Sequence, residues 1–525
     1  MFLQFIVSII FTGLFTCPTA FGADSASEAD KWLGRDRTKT FDEMVSQLKQ
    51  FNIPSLRGLS RINTTWENEL KKTKTRFIAA KTQEDVYYAL LSLKNSMHDY
   101  HSKPLLDPNV RPQDKRAQLP VSLKPLFKDG VIQFVVEKSE LKSIKPGFIL
   151  KELDGKTPKD WEDYFLEWVN TTSPDYIHML VAKWLTVRES DDLPLPLPGA
   201  EAHLIFFDPK TKGEEKVDLL WVFGEMGPPA EGCLSGEFSS DYKGLKPQFK
   251  GINFCVFANV KGFFVIKYFS FYYDFSNNIS RLWNKIPELS YKPKTVNLDK
   301  PISVEIADQD IEQVKKLLSK YQPKNMLIDV RENYGGDVFP TLMSVFAKKP
   351  FSLLKRQVVF SNYMKGHSDF FKESLSMGDK EMLPAAVQAQ ENGEKLSPLF
   401  PFFCRSKECK TEEAIYQPNP YSKKDFKVFV LAGPRCVSSC DQFVAIMKDN
   451  GIAKIAGLPT NGGHSPFRAF LPIRLKNDSV VKIRITTGEG YRPNAEPLEG
   501  NPAQPDIRIE FQKDYLNKAI SLIGR

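Results

Sequence analysis

The sequence predicts a multidomain chain of mixed α and β structure, with an α/β layer in its C-terminal half. Three observations predict it. From Gly262 onward short apolar runs alternate with amphipathic ones, in the order strand, helix, strand, helix. Residues 24 to about 110 instead repeat apolar side chains at helical spacing, and residues 113 to about 222 carry short strand-like runs broken by turn signals. A length of 525 residues allows two to four domains, at roughly 100–200 residues each.

Met1 to Gly22 holds no charged side chain, and Phe5 to Phe15 is a short apolar run. Ala20-Phe21-Gly22 before Ala23 supplies the small residues a signal peptidase needs, so 1–22 reads as a signal peptide and the mature protein as exported. A transmembrane anchor is the alternative, but the run is short for a ~30 Å apolar core. Leu14-Phe15-Thr16-Cys17 is a poor lipoprotein signal. No later stretch approaches 18 apolar residues, so no membrane span is expected after signal removal.

Residues 23–112 form an expected helical domain. Phe41, Met44, Val45 and Leu48 fall on one helix face, and Val86, Ala89, Leu90 and Leu93 on another. Residues 113–222 change to strands: Val131–Val136, then a turn, a strand and an Asp154-Gly155 hairpin signal within Ile144–Lys156, then His203–Phe207 and Val217–Trp221. Leu193 to Pro198 alternates Leu and Pro and reads as a stiff connector. Residues 223–258, with many Gly and two Cys, read as an irregular link. In 259–525 the expected strands are Phe263–Phe269, Asn325–Val330 and Val428–Leu431. The expected helices are Asp308–Tyr321, Phe339–Phe346 and Asp441–Lys448, with an insertion over 350–425.

Composition excludes several classes. Hydrophobic residues at 42% and charged residues at 26% rule out a wholly disordered chain, a collagen-like fibre and a coiled-coil rod. The net charge of +8 is spread without a basic run, so no nucleic-acid partner is expected. The 39 Phe point to large cores or a greasy groove. Six cysteines follow the leader, and an even count in an exported chain points to disulfides. The sequence-local choice among fifteen pairings is Cys233–Cys255, Cys404–Cys409 and Cys436–Cys440. Zinc is not expected, since there is no C-x-x-C spacing and no nearby His pair.

Two junctions carry the chemistry. Leu327 to Gly336 and Leu431 to Asp441 each run from a strand through a loop toward a helix, and open α/β sheets form their sites at the carboxyl ends of strands. The pair Gly335-Gly336 lets backbone N–H groups approach a ligand without a Cβ in the way. Ser438 and Ser439 sit at a helix N-terminus, where developing negative charge is favoured. A nucleophile facing an oxyanion hole has this arrangement; so does an ordinary Gly turn beside a Ser cap.

The combination is more specific. Asp329-x-Arg331-x-Asn333-x-Gly335-Gly336 resembles the D-x-R-x-N-x-G-G motif of the C-terminal-processing and tricorn-core serine peptidases. Cys436-Val437-Ser438-Ser439-Cys440-Asp441 resembles that family's S-A-S-A-S-E segment, and its nucleophile falls on Ser438. Asn450-Gly451-Ile452-Ala453, Gly457 and Thr460-Asn461-Gly462-Gly463 follow in register. Lys145-Pro146-Gly147 through Asp154-Gly155-Lys156 resembles the family's PDZ-like domain, and Gly500 to Asp506 its close. The resemblance spans about 85–525. It implies a PDZ-like domain over 113–222 and a crotonase-like peptidase core over 259–525.

One departure matters. Tail-specific members place a catalytic Lys where this chain has Gly463, so that dyad is absent. The tricorn-like branch uses His and Glu instead. On that pattern Met97-His98-Asp99-Tyr100-His101 puts the base at His101, and Leu498-Glu499-Gly500 puts the orienting carboxylate at Glu499, with Glu496 in reserve. His suits a base because it titrates near neutrality, and a carboxylate can fix its tautomer. His464, beside the missing lysine, is the alternative base. His98 reads as a helix-end residue, and His178, His203 and His367 have no motif around them. Arg331 reads as an ion-pair partner of Asp329 or Glu332, and Cys436 and Cys440 as a brace on the Ser loop.

The resulting expectation is an exported, periplasmic or secreted, serine endopeptidase. Its triad is Ser438, His101 and Glu499, and its oxyanion donors are Ser439 with Gly335 or Gly336. It needs no cofactor, acts on protein or peptide substrates, and is open to forming a homo-oligomer. A non-catalytic binding protein on the same fold, holding an apolar ligand or a peptide, is the alternative. The high Phe count and the missing lysine favour that alternative; His101 and Glu499 oppose it.

Overall fold

The computed structural model describes residues 27–51, 53–105, 115–225, 232–236, 238–273, 288–291, 293, 302–336, 340–366, 383–401, 409–410, 414–419, 425–464, 468–476 and 480–524. The expected signal peptide, Cys404 and His367 lie outside the described residues, as does part of the 350–425 insertion. Four helices come first: Glu28–Leu33 (α1), Arg37–Leu48 (α2), Trp66–Ala79 (α3) and Gln83–Asn95 (α4). Caps set their starts. Asp36 accepts the Lys39 N–H, Thr65 the Asn68 N–H and Thr82 the Asp85 N–H. The apolar positions read from the sequence, Phe41 to Leu48 and Val86 to Leu93, are buried in one core. The helical reading fails after Asn95. Lys103–Leu105 is a strand paired antiparallel with Val480–Thr486, as Pro104 cannot continue a helix.

Five antiparallel strands follow, paired in chain order: Val121–Lys128 (β1), Val131–Ser139 (β2), Ile149–Leu153 (β3), Glu201–Phe207 (β4) and Glu214–Leu220 (β5). Asp129-Gly130 turns β1 into β2 with φ of 52° and 82°, the paired left-handed conformation of a two-residue hairpin. Asp154-Gly155 also turns, with φ of 52° and 70°, but only the Leu153–Lys156 bridge follows before a helix starts. Two helices stand in this region beyond the expected strands: Pro158–Phe165 (α5) and Pro174–Trp184 (α6). Their signals are Thr157-Pro158 and Ser173-Pro174, a capping hydroxyl followed by proline at the first helical position.

The third layer is a seven-stranded mixed sheet. Its strands are Phe249–Lys250 (β6), Phe254–Val260 (β7), Phe263–Tyr268 (β8), Asn325–Asp329 (β9), Lys427–Ala432 (β10), Lys454–Gly457 (β11) and Ile507–Arg508 (β12), paired in that order. From β8 to β12 every pairing is parallel. Residues 254–258 are therefore sheet and not link. Their Phe-Cys-Val-Phe run is buried on both faces and shows no alternation. Ile302–Tyr321 (α7) starts earlier than Asp308. With Pro340–Phe346 (α8) and Ser439–Asp449 (α9) it covers one face; Tyr515–Ile523 (α10) covers the other. Cys233–Cys255 and Cys436–Cys440 are disulfides, as the local pairing predicts. Among the described residues, no helix is long and apolar enough to cross a membrane.

Buried charge fixes the loop after β9. Arg331 is 1% exposed. Its guanidinium donates to Asp329 at 2.7 and 3.0 Å and to Asp241 at 2.6 Å, and lies over the rings of Phe238 and Tyr515. Burial alone would raise the Asp329 carboxyl; the Arg331 charge outweighs it and holds the group below its ordinary value. Glu332 pairs with the buried Lys267 at 2.7 Å and not with Arg331. Tyr242 donates to Asp329 at 2.6 Å. Removing one partner of such a set leaves buried charge uncompensated. Arg331→Ala should lower stability by about 3–5 kcal/mol in urea unfolding, and a loss under 1 kcal/mol would show that the network is not what holds this loop.

Candidate active site

Strands β9, β10 and β11 are adjacent and parallel, so the loops leaving their carboxyl ends share one edge of the sheet. These loops are residues 330–336, 433–438 and 458–464. Asp329 lies opposite Leu431, which brings the Gly-Gly loop level with the Ser loop. Ser438 is the N-cap of α9 with φ 61° and ψ −124°, a conformation that non-glycine residues avoid. Ser438 is partly exposed, while Val437 and Ser439 on either side are buried. A sharp strand-to-helix turn of this kind presents a hydroxyl outward at the helix N-terminus.

Each neighbour of Ser438 is held. Its N–H donates to the Gly463 carbonyl at 2.9 Å, and the N–H of Gln442 donates to its carbonyl at 3.2 Å. The Cys436–Cys440 disulfide spans the turn, and both cysteines are fully buried. The Asn461 N–H donates to the Cys436 carbonyl, and its side-chain amide to the Pro434 carbonyl. Asp441, in the first turn of α9, accepts the N–H groups of Gly462 and Gly463 at 3.0 Å. Burial pushes its carboxyl up to about 7.

Gly335 backs onto the serine. A Cβ built on it would lie 2.8 Å from Ser438 Cβ and 2.6 Å from the Val437 carbonyl oxygen. A Cβ on Gly336 would lie 2.3 Å from the backbone of Phe271 and Tyr272. Both glycines have positive φ, at 89° and 129°. The Gly335 N–H is held by Asn333 Oδ1 at 2.8 Å. Of the two glycines, Gly336 is thus the one whose amide Asn333 does not take.

His101 is buried, at 7% exposure, on the loop after α4. Asp99 pins that loop, accepting from the His101 N–H at 2.8 Å, from Ser102 at 2.8 Å and from Thr486. Arg484 donates to the His101 carbonyl. The His101 ring meets the Tyr100 ring edge-on at 5.6 Å. Tyr100 Cβ lies 3.1 Å from the position a Gly463 Cβ would take, so this loop abuts the residue that holds Ser438.

Glu499 is buried and accepts the N–H of His464, so its described hydrogen bond goes to the third loop. Burial first, then the charges of Asp99, Asp441 and Glu489, push its carboxyl well above the ordinary range. Glu496 is exposed and takes the Asn501 side chain at 3.4 Å. The His464 ring is buried, with Nδ1 2.8 Å from Gln442 Nε2 and its other edge against Gly490. His98 bonds the Thr171 carbonyl and faces Glu69; His178 faces Glu162, and His203 pairs with Asp218 at the surface. The structure thus brings Ser438, Ser439, Gly335, Glu499, His464 and the His101 loop to one edge, and leaves Glu496, His178 and His203 away from it.

Asp99, Asp441, Asn461 and Gln442 carry no role in the sequence reading. Asp99 stands in the Met97–His101 segment, Asn461 in Thr460–Gly463 and Asp441 in the first turn of the Ser helix, while Gln442 carries no signal. Beside the site, a cleft of about 630 Å³ has walls of Tyr100, Tyr176, Trp168, Trp184 and Tyr334, and Arg435 stacks on Tyr334 at 4.6 Å. That volume is within the range of ligand clefts. Among the described residues, no three His, Cys, Asp or Glu side chains gather as a metal site.

The chain is similar to known proteins in part of its sequence and in its fold. The model of Peptidase family S41 matches residues 302–509, which contain Ser438, both glycines and Glu499 but not His101. An uncharacterised protein of Chlamydia muridarum is 24% identical over 255 residues, which are 41% of this chain and 41% of that one. The match thus spans about two fifths of that relative's length. The structure of mature CPAF complexed with lactacystin is similar with a TM-score of 0.63 at 14% identity, over 92% of this chain and 96% of that one. A second structure of mature CPAF gives 0.62, also at 14% identity, over 92% and 94%. Two parallel-strand loops thus meet at Ser438 with a Gly-Gly turn behind it, and the residues that carry them, 302–509, are similar to Peptidase family S41.

Proposed function

We propose that the chain is an exported serine endopeptidase in which Ser438 is the nucleophile, His101 the base and Glu499 the carboxylate of the triad. Ser438 Oγ attacks the substrate carbonyl carbon while His101 takes its proton. The Ser439 N–H and the Gly336 N–H hold the oxyanion of the tetrahedral intermediate. His101 then protonates the leaving amine, and water hydrolyses the acyl-enzyme by the same steps in reverse order. The observation that carries this reading is Ser438 itself, a partly exposed hydroxyl at positive φ on a helix N-terminus, with the Gly335 backbone against it. Two disulfides favour an oxidising compartment and hence export. The aromatic cleft beside the site suits peptide side chains.

Ser438→Ala should abolish cleavage of casein or a reporter peptide while the circular dichroism spectrum stays native. Undiminished cleavage would remove Ser438 from the mechanism.

His101→Ala should lower kcat by about 10²–10⁴-fold, the usual worth of a positioned base, with KM little changed. A loss of that size from His464→Ala but not from His101→Ala would transfer the base to His464.

The buried carboxyls also set a pH dependence. Asp441 titrates at about 7 in the folded chain, against about 3.9 unfolded. The native state therefore binds this proton more tightly between roughly pH 4 and 7, and stability falls as pH rises through that window, by up to about 4 kcal/mol. Glu499, shifted in the same direction, adds to the slope. Urea unfolding across this window should show the fall, and Asp441→Asn should make it shallower; a rise in stability instead would contradict the assignment.

A further inference from the structure

Strand β1 is an edge strand of the five-stranded sheet, and α6 packs beside it. A groove between an edge strand and a helix is where a module of this shape can add an extended peptide, through the edge N–H and C=O groups. Here part of that edge is already taken up. The two-residue turn at Asp129-Gly130 fixes which residues of β1 face β2, and alternation leaves the amide positions of Phe127 and Pro125 facing the open side. Pro125 has no N–H to give, a common device for blunting an edge. The Phe127 N–H donates to the Phe511 carbonyl of the same chain at 2.8 Å.

The Phe511 side chain completes the closure. It is 4% exposed and packs with Tyr176 and Met179 of α6 and with Leu458. Its segment is fixed from the other side too. Ile507 lies opposite Ala456, and the Ile509 N–H donates to the Gly457 carbonyl, so residues 507–511 pass from the edge of the core sheet straight onto β1. What remains between Leu123, Pro125, Met179, Ala182, Phe511 and Tyr515 is a cavity of about 170 Å³. That is close to an engineered cavity that holds one benzene, and too small for a strand of peptide.

We propose that residues 509–512 are a built-in ligand of the groove between β1 and α6. The groove takes no substrate tail, and its occupant holds α6 against the loop of Tyr100 and His101. Tyr176 of α6 links the two, sharing a buried cluster with Phe511 and lying 6.3 Å from the Tyr100 ring, centre to centre. The link to catalysis rests on the reading of His101 given above; the occupancy of the groove does not.

Two measurements on the full chain test the occupancy without using activity. Hydrogen exchange should rise at least tenfold over 121–128 and 174–184 in Phe511→Ala, and stay near wild type in Phe511→Leu. Unchanged exchange in Phe511→Ala would overturn the proposal. Separately, a fluorescein-labelled decapeptide ending in Leu-Ala-Ala with a free carboxylate is titrated into the Ser438→Ala chain. Flat anisotropy is expected. Saturable binding that Met179→Lys abolishes would show an open groove and overturn the proposal, even if Phe511→Ala failed to fold.

Discussion

No side chain fits between residue 335 and Ser438. The Gly335 backbone lies where a Cβ would strike both the Val437 carbonyl and Ser438 Cβ. That close approach requires two loops from neighbouring parallel strands to arrive at one height, and the register of β9 on β10 delivers them. It also requires both loops to be stiff, since a backbone this near a nucleophile leaves little room for drift. The Gly-Gly loop gains its stiffness from buried charge at Arg331, Asp329 and Asp241, and from Lys267 with Glu332. The Ser loop gains it from a disulfide and from the Gly463 carbonyl.

A second theme is the use of buried carboxylates as acceptors for backbone N–H. Asp441 takes Gly462 and Gly463, Glu499 takes His464, and Asp99 takes His101. Each ties one of the site's loops through its main chain. The cost is carboxyls held out of water: burial pushes both Asp441 and Glu499 upward, and for Glu499 the charges of Asp99, Asp441 and Glu489 add to it. Where a lysine is absent at Gly463, the space is filled by contact with Tyr100 and Val437 and not by a charge. The third loop thus acts as scaffold for both the Ser turn and the His101 loop.

Much of this was legible in the sequence, for local reasons. Apolar periodicity gave α2 and α4, and unbroken apolar runs gave β8, β9 and β10. The Gly-Gly pair and the Ser pair gave two of the three loops of the site, because positive φ and helix capping are properties of single residues. Other features depend on distant partners. Lys103–Leu105 is a strand only because Val480–Thr486 lies beside it. The link reading of residues 254–258 failed since neighbouring Gly and Cys outweighed a short buried run. Glu332 sits next to Arg331 in sequence yet pairs with Lys267, some 65 residues away, and nothing local announces it. Asp99 stands in the segment that resembles the family's His motif, but its role as an acceptor that pins the loop depends on Thr486, which only the fold brings to it.

The central claim is that the Ser438 hydroxyl is an activated nucleophile. It is tested most directly by treating the native chain with a fluorophosphonate probe and locating the adduct by peptide mass spectrometry. The account predicts a single adduct on Ser438, lost when the chain is unfolded before labelling. Labelling confined to another residue, or none on Ser438 under conditions where the chain cleaves peptide, would contradict it.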